Sequence, residues 1–257
     1  MKALIILAHP EPKSFNAHLA RSASDVLAEQ GFQVQTLDLY ASGFDPCEGA
    51  DHYVLRRDKD RFDAQTEQRY SWEKDASAPE IKSAIEALFD ADLVVFQFPL
   101  WWFGPPGILK GWLDRAFVYG ALYRSSARYD TGPCRGKLAL TCVTTGASEE
   151  ACSFNGHEGD TNLILWPFLF SLRYVGFSVL EPNLIFGVRG GLSGDEARAQ
   201  DIYLRDADET YRAKLRSLET WPHVTFNADG DFDDAGLLRP DASVYSPFIR
   251  HRARMTF

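Results

Sequence analysis

The sequence contains no long apolar segment. None of its runs reaches the roughly 18 continuous apolar residues that a helix needs to span a bilayer. The apolar run at residues 3–8 is too short for the hydrophobic part of a signal peptide, and it ends at His9. We therefore predict a protein that does not insert into membranes.

Cysteine is scarce, and its four positions, Cys47, Cys134, Cys142 and Cys152, form no Cys-x-x-Cys pair. No two of the six histidines have a convincing spacing for metal ligands. The sequence therefore predicts neither a metal site nor a disulfide framework, and a reducing cytoplasm is the simplest location. The net charge of −9 argues against a general nucleic-acid or anionic-membrane surface.

Several common nucleotide-binding and catalytic motifs are also absent. The first predicted strand is not followed by G-x-G-x-x-G, which argues against a nicotinamide-binding Rossmann domain. The chain has no G-x-x-x-x-G-K-[ST] phosphate loop, no H-E-x-x-H and no G-x-S-x-G. These absences argue against a P-loop nucleotidase, a zinc protease of that type and an α/β-hydrolase.

Apolar strands alternate with helices along most of the chain. The predicted strands are residues 2–8, 33–38, 93–98, 137–144 and 177–186, the last interrupted by Pro182. The predicted helices begin at Ser14 or Asn16, Pro79, Gly107, Thr161, and Ser193 or Asp195. This alternation is typical of a parallel α/β sheet with right-handed crossovers. Five such units predict a flavodoxin-like, doubly wound sheet of order 2-1-3-4-5 with its switch point between strands one and three.

Two regions do not follow this alternation. Residues 41–78 form a long polar connection to which the sequence assigns no helix, and such connections are usually functional, interfacial or partly disordered. From Trp221 the periodicity is lost, and residues 221–257 are predicted to lie on the surface. We expect residues 1–220 to form the main domain, with residues 221–257 as a C-terminal extension packed on the same domain.

Three loops follow the carboxyl ends of strands one, three and four, where open α/β sheets bind ligands. Residues 9–14 precede a helix N-terminus, so they form either a phosphate site or a plain turn. Trp101, Trp102 and Phe103 form either a platform for a flat ligand or ordinary core. In the third loop, residues 144–147, Gly146 permits close approach of the backbone to a ligand.

Motifs within residues 2–182 resemble the NAD(P)H:quinone oxidoreductases of the DT-diaphorase type. They are AHPEPKSFN at 8–16, FQFPLWWFGPPGILKGWLDR at 96–115, YDTGP at 129–133, TTG at 144–146 and GDTNLILWP at 159–167. The aromatic residues followed by LKGW are the most specific of them. The resemblance implies a flavodoxin-like homodimer that binds FAD. It also implies ping-pong transfer of two electrons from NADH or NADPH to a quinone, through one shared pocket.

The resemblance implies a role for particular residues of this chain. The implied flavin contacts are His9, Ser14, Phe15 and Asn16 at the phosphates; Pro99, Leu100, Trp101, Trp102 and Phe103 along the isoalloxazine ring; Thr144, Thr145, Gly146 and Ala147 at its polar edge; Gln65 across the subunit boundary; and Arg198 on the adenosine side. The implied substrate pocket contains Trp102, Phe103, Tyr123 and Arg128, with Tyr123 supplied by the partner subunit.

The chain departs from the family beside the flavin's N1 atom. Mammalian members have a tyrosine and a histidine there, proposed as a proton relay, whereas this chain has Cys152 and Glu158. The adjacent His157 is a further donor, because histidine changes its charge near neutral pH. We therefore take Cys152, His157 and Glu158 as candidate catalytic residues. Backbone N–H groups of residues 145–147 are the alternative means of stabilising a reduced flavin.

Two rival functions fit the same pattern. One is an FMN-dependent reductase of azo, nitro or chromate substrates on the same fold. The other is a flavodoxin-like regulatory binding subunit in which oxidoreductase activity is secondary. The cofactor released on denaturation would distinguish FAD from FMN, and slow turnover with quinones would indicate the regulatory subunit.

Overall fold

The computed structural model describes residues 1–252, and its strands and helices extend from Lys2 to Arg216, mostly in alternation. The strands are β1 (Lys2–Leu7), β2 (Gln33–Asp38), β3 (Leu93–Pro99), β4 (Leu138–Thr144), β5 (Ser178–Val179) and β6 (Asn183–Ile185). The helices are α1 (Phe15–Glu29), α2 (Ala64–Glu73), α3 (Pro79–Asp90), α4 (Gly107–Ala116), α5 (Thr161–Tyr174) and α6 (Gly194–Arg216). None of the helices in residues 1–252 has the length and apolar character needed to cross a membrane.

The strands form one sheet of order β2-β1-β3-β4-β5, with β6 also paired to β4. Each strand pairing is parallel. The predicted order is therefore confirmed, and the interrupted fifth strand is present as the two short pieces β5 and β6. Pro182 lies between these pieces, where its missing N–H prevents an uninterrupted strand.

Both faces of the sheet are covered, because alternate residues of the central strands enter two different cores. Phe96 and Phe98 of β3 pack with residues from α3, α4 and α5 on one face. Leu93 and Val95 pack with residues from α1 and α6 on the other. This double burial explains why the strands read as continuous apolar runs. Gln97 is the polar residue within β3, and it is fully buried.

The ends of β1 and β3 place the next residues at the carboxyl edge of the sheet. Helix α1 begins after Ser14, whose Oγ accepts the Ala17 N–H at 3.1 Å as a helix cap. Strand β3 runs one residue further than predicted, because Pro99 stays in register with Thr144. The Leu100 N–H then donates to the Thr144 carbonyl at 2.8 Å, which ties the two strand ends together.

The connection at residues 41–78 contains a helix, α2, that the sequence does not reveal. Asp63 caps it by accepting the Thr66 N–H at 2.9 Å. Glu67 of α2 is fully buried and accepts the N–H groups of Arg57 at 2.7 Å and Asp58 at 3.1 Å. A carboxylate therefore occupies the inward position where helical periodicity would require an apolar residue.

The C-terminal extension begins at the edge of the sheet, where it is bonded to β5 and to the residues after it. The Glu181 N–H donates to the Pro222 carbonyl at 2.8 Å, and the Val224 N–H donates to the Val179 carbonyl at 2.9 Å. Further along, Asp130 accepts the Asp229 N–H at 2.6 Å. The start of the extension is therefore hydrogen-bonded to the edge of the sheet, although most of its residues are exposed or half-buried. Residues 253–257 lie outside the described residues.

Candidate functional site

Three loops meet at the carboxyl edge of the sheet, at the switch point between β1 and β3. Asn16 Nδ2, just inside α1, donates to Thr144 Oγ1 at 2.8 Å. The rings of His9 and Trp101 lie 5.8 Å apart between centroids. The parallel strand order brings these residues together although they are far apart in sequence.

Residues 101–104, which we call the aromatic turn, hold two bulky residues in an unusual backbone conformation. Trp101 and Gly104 exchange N–H···O hydrogen bonds of 2.9 and 3.1 Å. Between them, Trp102 has φ 49° and Phe103 has φ 60°, a region that disfavours large side chains. Trp102 is 96% exposed and Phe103 is 58% exposed, so the interpretation of these two residues as ordinary core is wrong. Backbone strain that is not compensated by burial of the strained side chains is typical of functional sites.

The loop between β1 and α1 presents a histidine of defined tautomer. His9 Nδ1 accepts the Glu11 N–H at 3.0 Å, so the hydrogen of the neutral ring must be on Nε2. Burial lowers the pKa of His9, which favours this neutral form. Ser14 Oγ is occupied by capping α1, and the Phe15 ring stacks on His18 at 5.9 Å between centroids. The loop therefore offers the His9 Nε2–H and the N-terminal end of α1 to an anion.

Residues 144–147 are hydrogen-bonded to the end of β6 and to the residues that follow it. The Thr145 N–H donates to the Ile185 carbonyl at 2.9 Å, and the Gly187 N–H donates to the Ala147 carbonyl at 2.8 Å. A Cβ added to Gly146 would lie 3.5 Å from the Val188 carbonyl oxygen, an ordinary contact. Packing within the chain therefore does not require glycine at this position, whereas close approach of a ligand would.

The three candidate catalytic residues occupy the loop between β4 and α5. His157 Nε2 lies 3.0 Å from Glu158 Oε1, and both side chains reach solvent. Cys152 is buried, and its carbonyl accepts the Thr161 N–H at 3.1 Å. The structure thus pairs His157 with Glu158 and places the Cys152 side chain in the interior.

The remaining predicted site residues make their hydrogen bonds and ring contacts outside the three loops. Gln65 Nε2 donates to the Tyr123 hydroxyl at 3.2 Å, and the Arg128 guanidinium lies over the Tyr129 ring at 5.7 Å. Arg198 pairs with Asp195 in the first turn of α6. Within residues 1–252, no hydrogen bond joins Gln65, Tyr123, Arg128 or Arg198 to the three loops.

An open cavity of about 460 Å³ lies beside Tyr123. Its wall is mainly apolar and includes Pro105, Leu113, Phe117, Phe168, Phe170 and Tyr174, together with the polar residues Gln68, Lys110, Asp114 and Ser171. Tyr123 and Tyr174 meet edge to face, with 5.5 Å between ring centroids. Pro105 directly follows the aromatic turn, so the cavity continues from the carboxyl edge of the sheet along α4 and α5.

Sequence reasoning missed Gln97 as a residue of this region. Gln97 Nε2 donates to Asn16 Oδ1 at 2.8 Å and to the Cys142 carbonyl at 3.2 Å. The available signal was one amide within an apolar strand, immediately before the Phe-Pro pair that ends β3. The segment after β6 was also missed, and its sequence carries no pattern that would place it beside residues 144–147.

Comparison with known proteins gives consistent results. A family model described as a flavodoxin-like fold matches residues 1–208. The chain is 40% identical over 242 residues to NAD(P)H dehydrogenase (quinone) 1 of Rattus norvegicus, covering 92% of this chain and 85% of that protein. It is 40% identical over 187 residues to ribosyldihydronicotinamide dehydrogenase (quinone) of Homo sapiens, covering 72% and 81%. A solved structure of a candidate quinone reductase from Klebsiella pneumoniae has 31% identity and a TM-score of 0.84, covering 93% and 94%.

Proposed function

The chain belongs to the NAD(P)H dehydrogenase (quinone) family of flavodoxin-like oxidoreductases, and from this premise we propose that it reduces quinones by two electrons with NADH or NADPH. The observation that carries the proposal is the aromatic turn. Trp102 is almost fully exposed and held at positive φ, directly beyond β3 at the switch point of the sheet. A rigid aromatic surface at this place suits the stacking of flat rings.

The residues of the three loops fit a flavin, and we propose FAD as the cofactor, with FMN as the alternative. The N-terminal end of α1 and the His9 Nε2–H suit its phosphates, the aromatic turn suits its ring, and Gly146 leaves room for its polar edge. A flavin held by these residues would supply the hydride chemistry for a ping-pong transfer of two electrons from the nicotinamide to the quinone. The flavin contacts implied by the sequence resemblance, including Gln65 and Arg198, are part of this proposal.

We propose that the His157–Glu158 pair handles the proton that accompanies reduction. The two groups lie within hydrogen-bond distance and reach solvent, so one proton can be held between them and exchanged with water. The positive charge of a protonated His157 would stabilise the negative charge that develops when a flavin is reduced. Cys152 stays in the candidate catalytic set as the buried residue of the same loop.

We propose a homodimer as the working unit. The cavity beside Tyr123 is open and apolar, and a second copy of the chain would close it and exclude water. Tyr123 and Arg128 would then contribute to the partner's substrate pocket, with Gln65 at the boundary. Sedimentation should show a dimer, and a fully active monomer would contradict this part of the proposal.

The domain division and the location are also proposals. We propose residues 1–220 as the catalytic domain and residues 221–257 as an extension of the same domain, supported by the bonds between the extension and β5. We propose a cytoplasmic location. Cys47, Cys134, Cys142 and Cys152 are free thiols, which suits a reducing compartment.

The identity of the released cofactor is the decisive experiment. Purified protein is denatured, the released cofactor is separated, and turnover with quinones is measured with NADH and with NADPH. FAD together with rapid quinone reduction would support the proposal. FMN with preferential azo, nitro or chromate reduction would favour the rival reductase, and bound flavin with slow quinone turnover would favour the regulatory subunit. A protein that binds no flavin would contradict all three.

A further inference from the structure

Three buried polar side chains, which we call the amide relay, lie beneath the loops of the site. They are Gln97 from β3, Asn16 from α1 and Thr144 from β4, and each is at most 3% exposed. Gln97 Nε2 donates to Asn16 Oδ1 at 2.8 Å, and Asn16 Nδ2 donates to Thr144 Oγ1 at 2.8 Å. The relay thus connects all three structural elements whose ends form the candidate site.

The direction of these hydrogen bonds follows from one obligate acceptor. The backbone carbonyl of Cys142 lies 3.2 Å from the Gln97 amide, and a carbonyl can only accept. Gln97 must therefore turn its NH₂ group toward Cys142, and the same NH₂ group reaches Asn16. Asn16 must then present its oxygen to Gln97 and its nitrogen to Thr144.

The chemical consequence appears at Thr144, the last residue of β4. Its Oγ1 accepts a hydrogen bond from Asn16, so its own hydrogen has to point elsewhere. Within residues 1–252, no acceptor receives that hydrogen. Thr144 lies at the carboxyl edge of the sheet, where a ligand would be the remaining partner.

The relay leaves one of its own atoms unsatisfied. Gln97 Oε1 is buried and has no hydrogen-bond partner in the described chain. An unpaired buried carbonyl is unfavourable, and an apolar residue in β3 would avoid it. The presence of an amide at this position is therefore better explained by what its NH₂ group orients than by stability.

We propose that Gln97 is a positioning residue that holds Asn16 so that the Thr144 hydroxyl donates a hydrogen bond to the flavin. This inference rests on the proposed flavin-dependent function. It specifies the chemistry of the atom that Thr144 meets, which is an acceptor such as a carbonyl oxygen or an unprotonated ring nitrogen. It also separates two roles, because Thr144 touches the cofactor whereas Gln97 acts through Asn16.

The test compares Gln97→Met, Thr144→Val and their double variant, with Thr141→Val as the matched control. Thr141 is also a fully buried threonine of β4, but its hydroxyl has no hydrogen-bond partner and is outside the relay. Apo-protein is titrated with FAD and with FMN to obtain dissociation constants. The melting temperature of the apo-protein and the midpoint potential of the bound flavin are measured for each variant.

We expect Gln97→Met and Thr144→Val each to weaken flavin binding by roughly twofold to tenfold, the range for one hydrogen bond. The double variant should bind no more weakly than Thr144→Val, because both changes remove the same donor. Both should lower the midpoint potential, since a donated hydrogen bond favours the more negative, reduced flavin. Thr144→Ser should restore affinity and potential, and Thr141→Val should change neither.

Three results would overturn the relay. They are wild-type affinity and potential in Gln97→Met and Thr144→Val, additive losses in the double variant, or a Thr144→Ser variant that behaves like Thr144→Val. If Gln97→Met does not fold, Gln97→Leu is used, and failure of both to fold would assign Gln97 to folding instead. A wild-type chain that takes up no flavin would instead overturn the proposed function, so the two failures are distinguishable.

Discussion

The aromatic turn and residues 144–147 lie at the same edge of the sheet but are held in place by opposite means. The aromatic turn relies on its own two hydrogen bonds between Trp101 and Gly104, and its central side chains are exposed. Residues 144–147 are held from outside, by the segment after β6 and by the N–H of Leu100. One loop is therefore strained and solvent-facing, whereas the other is relaxed and fastened on two sides.

The difference shows how the two loops can serve one ligand. Left-handed backbone costs a large side chain about 1–2 kcal/mol per residue, which Trp102 and Phe103 do not recover by burial. A ligand that covers both rings would supply the missing burial. Residues 144–147 have no backbone strain that ligand burial would have to offset. They are therefore suited to fixed hydrogen bonds with the polar edge of the ligand.

The largest expected effect is the loss of flavin stacking. Trp102→Ala and Phe103→Ala should each weaken flavin binding by roughly 5- to 100-fold, since stacking on one aromatic ring contributes about 1–3 kcal/mol. Flavin content after purification and titration of the apo-protein measure the change. Phe248→Ala is the control, because Phe248 is also 58% exposed but belongs to the extension. Unchanged flavin content and turnover in both site variants would contradict the proposal that the aromatic turn stacks on the flavin.

The next effect concerns the loop that continues from residues 144–147. His157→Ala should slow flavin reduction by roughly tenfold or more, the lower range for one acid–base group. Glu158→Gln should shift or remove one limb of the pH profile if its carboxyl group takes part. Stopped-flow reduction by NADH or NADPH across pH gives both results. Three superimposable profiles for wild type and variants would assign the chemistry to the backbone N–H groups and the flavin.

The sheet could be predicted from the sequence because its information is local. Continuous apolar runs such as residues 93–98 indicate doubly buried strands, and Ser14 marks the start of α1. Helix α2 could not be predicted, because the buried Glu67 satisfies backbone N–H groups that lie outside the helix. Periodicity detects apolar burial and does not detect a buried carboxylate with specific partners.

The candidate site could be predicted only in part. The strand order predicts that the three loops meet, and the aromatic residue types alone indicate a surface that could stack on a flat ligand. The positive φ of Trp102 and Phe103 could not be predicted, because turns with that backbone ordinarily use glycine or asparagine. The pairing of Gln97 with Asn16 depends on a contact across 81 residues, which no local pattern encodes.

A smaller effect would test whether the aromatic turn is strained and residues 144–147 are not. Trp102→Gly should raise the free energy of unfolding of the apo-protein by about 1 kcal/mol or less, since glycine tolerates positive φ but gains flexibility in the unfolded chain. The same variant should lose flavin affinity, so stability and binding would move in opposite directions. Urea unfolding and flavin titration measure the two quantities. A less stable apo-protein would show that the Trp102 ring contributes packing despite its exposure.

The smallest effect concerns the pH dependence of the loop between β1 and α1. The pKa of His9 lies below its ordinary value of 6.5 because burial disfavours the charged ring. The unfolded chain therefore binds a proton more readily, so the contribution of His9 to stability is present above pH 6.5 and is lost as pH falls toward the folded-state pKa. Protonation at Nδ1 would also break the hydrogen bond from the Glu11 N–H.

His9→Asn tests this dependence, because the asparagine oxygen can replace Nδ1 as the acceptor for Glu11 but does not titrate. Urea unfolding of the apo-protein at about pH 7.5 and about pH 5.5 gives the change in stability with pH. We expect the wild type to lose more stability than His9→Asn between these values, by a small margin because the ring is only partly buried. His251→Asn, at an exposed histidine of the extension, is the control variant. Parallel losses in wild type and His9→Asn would show that folding leaves the proton affinity of His9 unchanged. That result would contradict a His9 ring held in its neutral form by the folded loop.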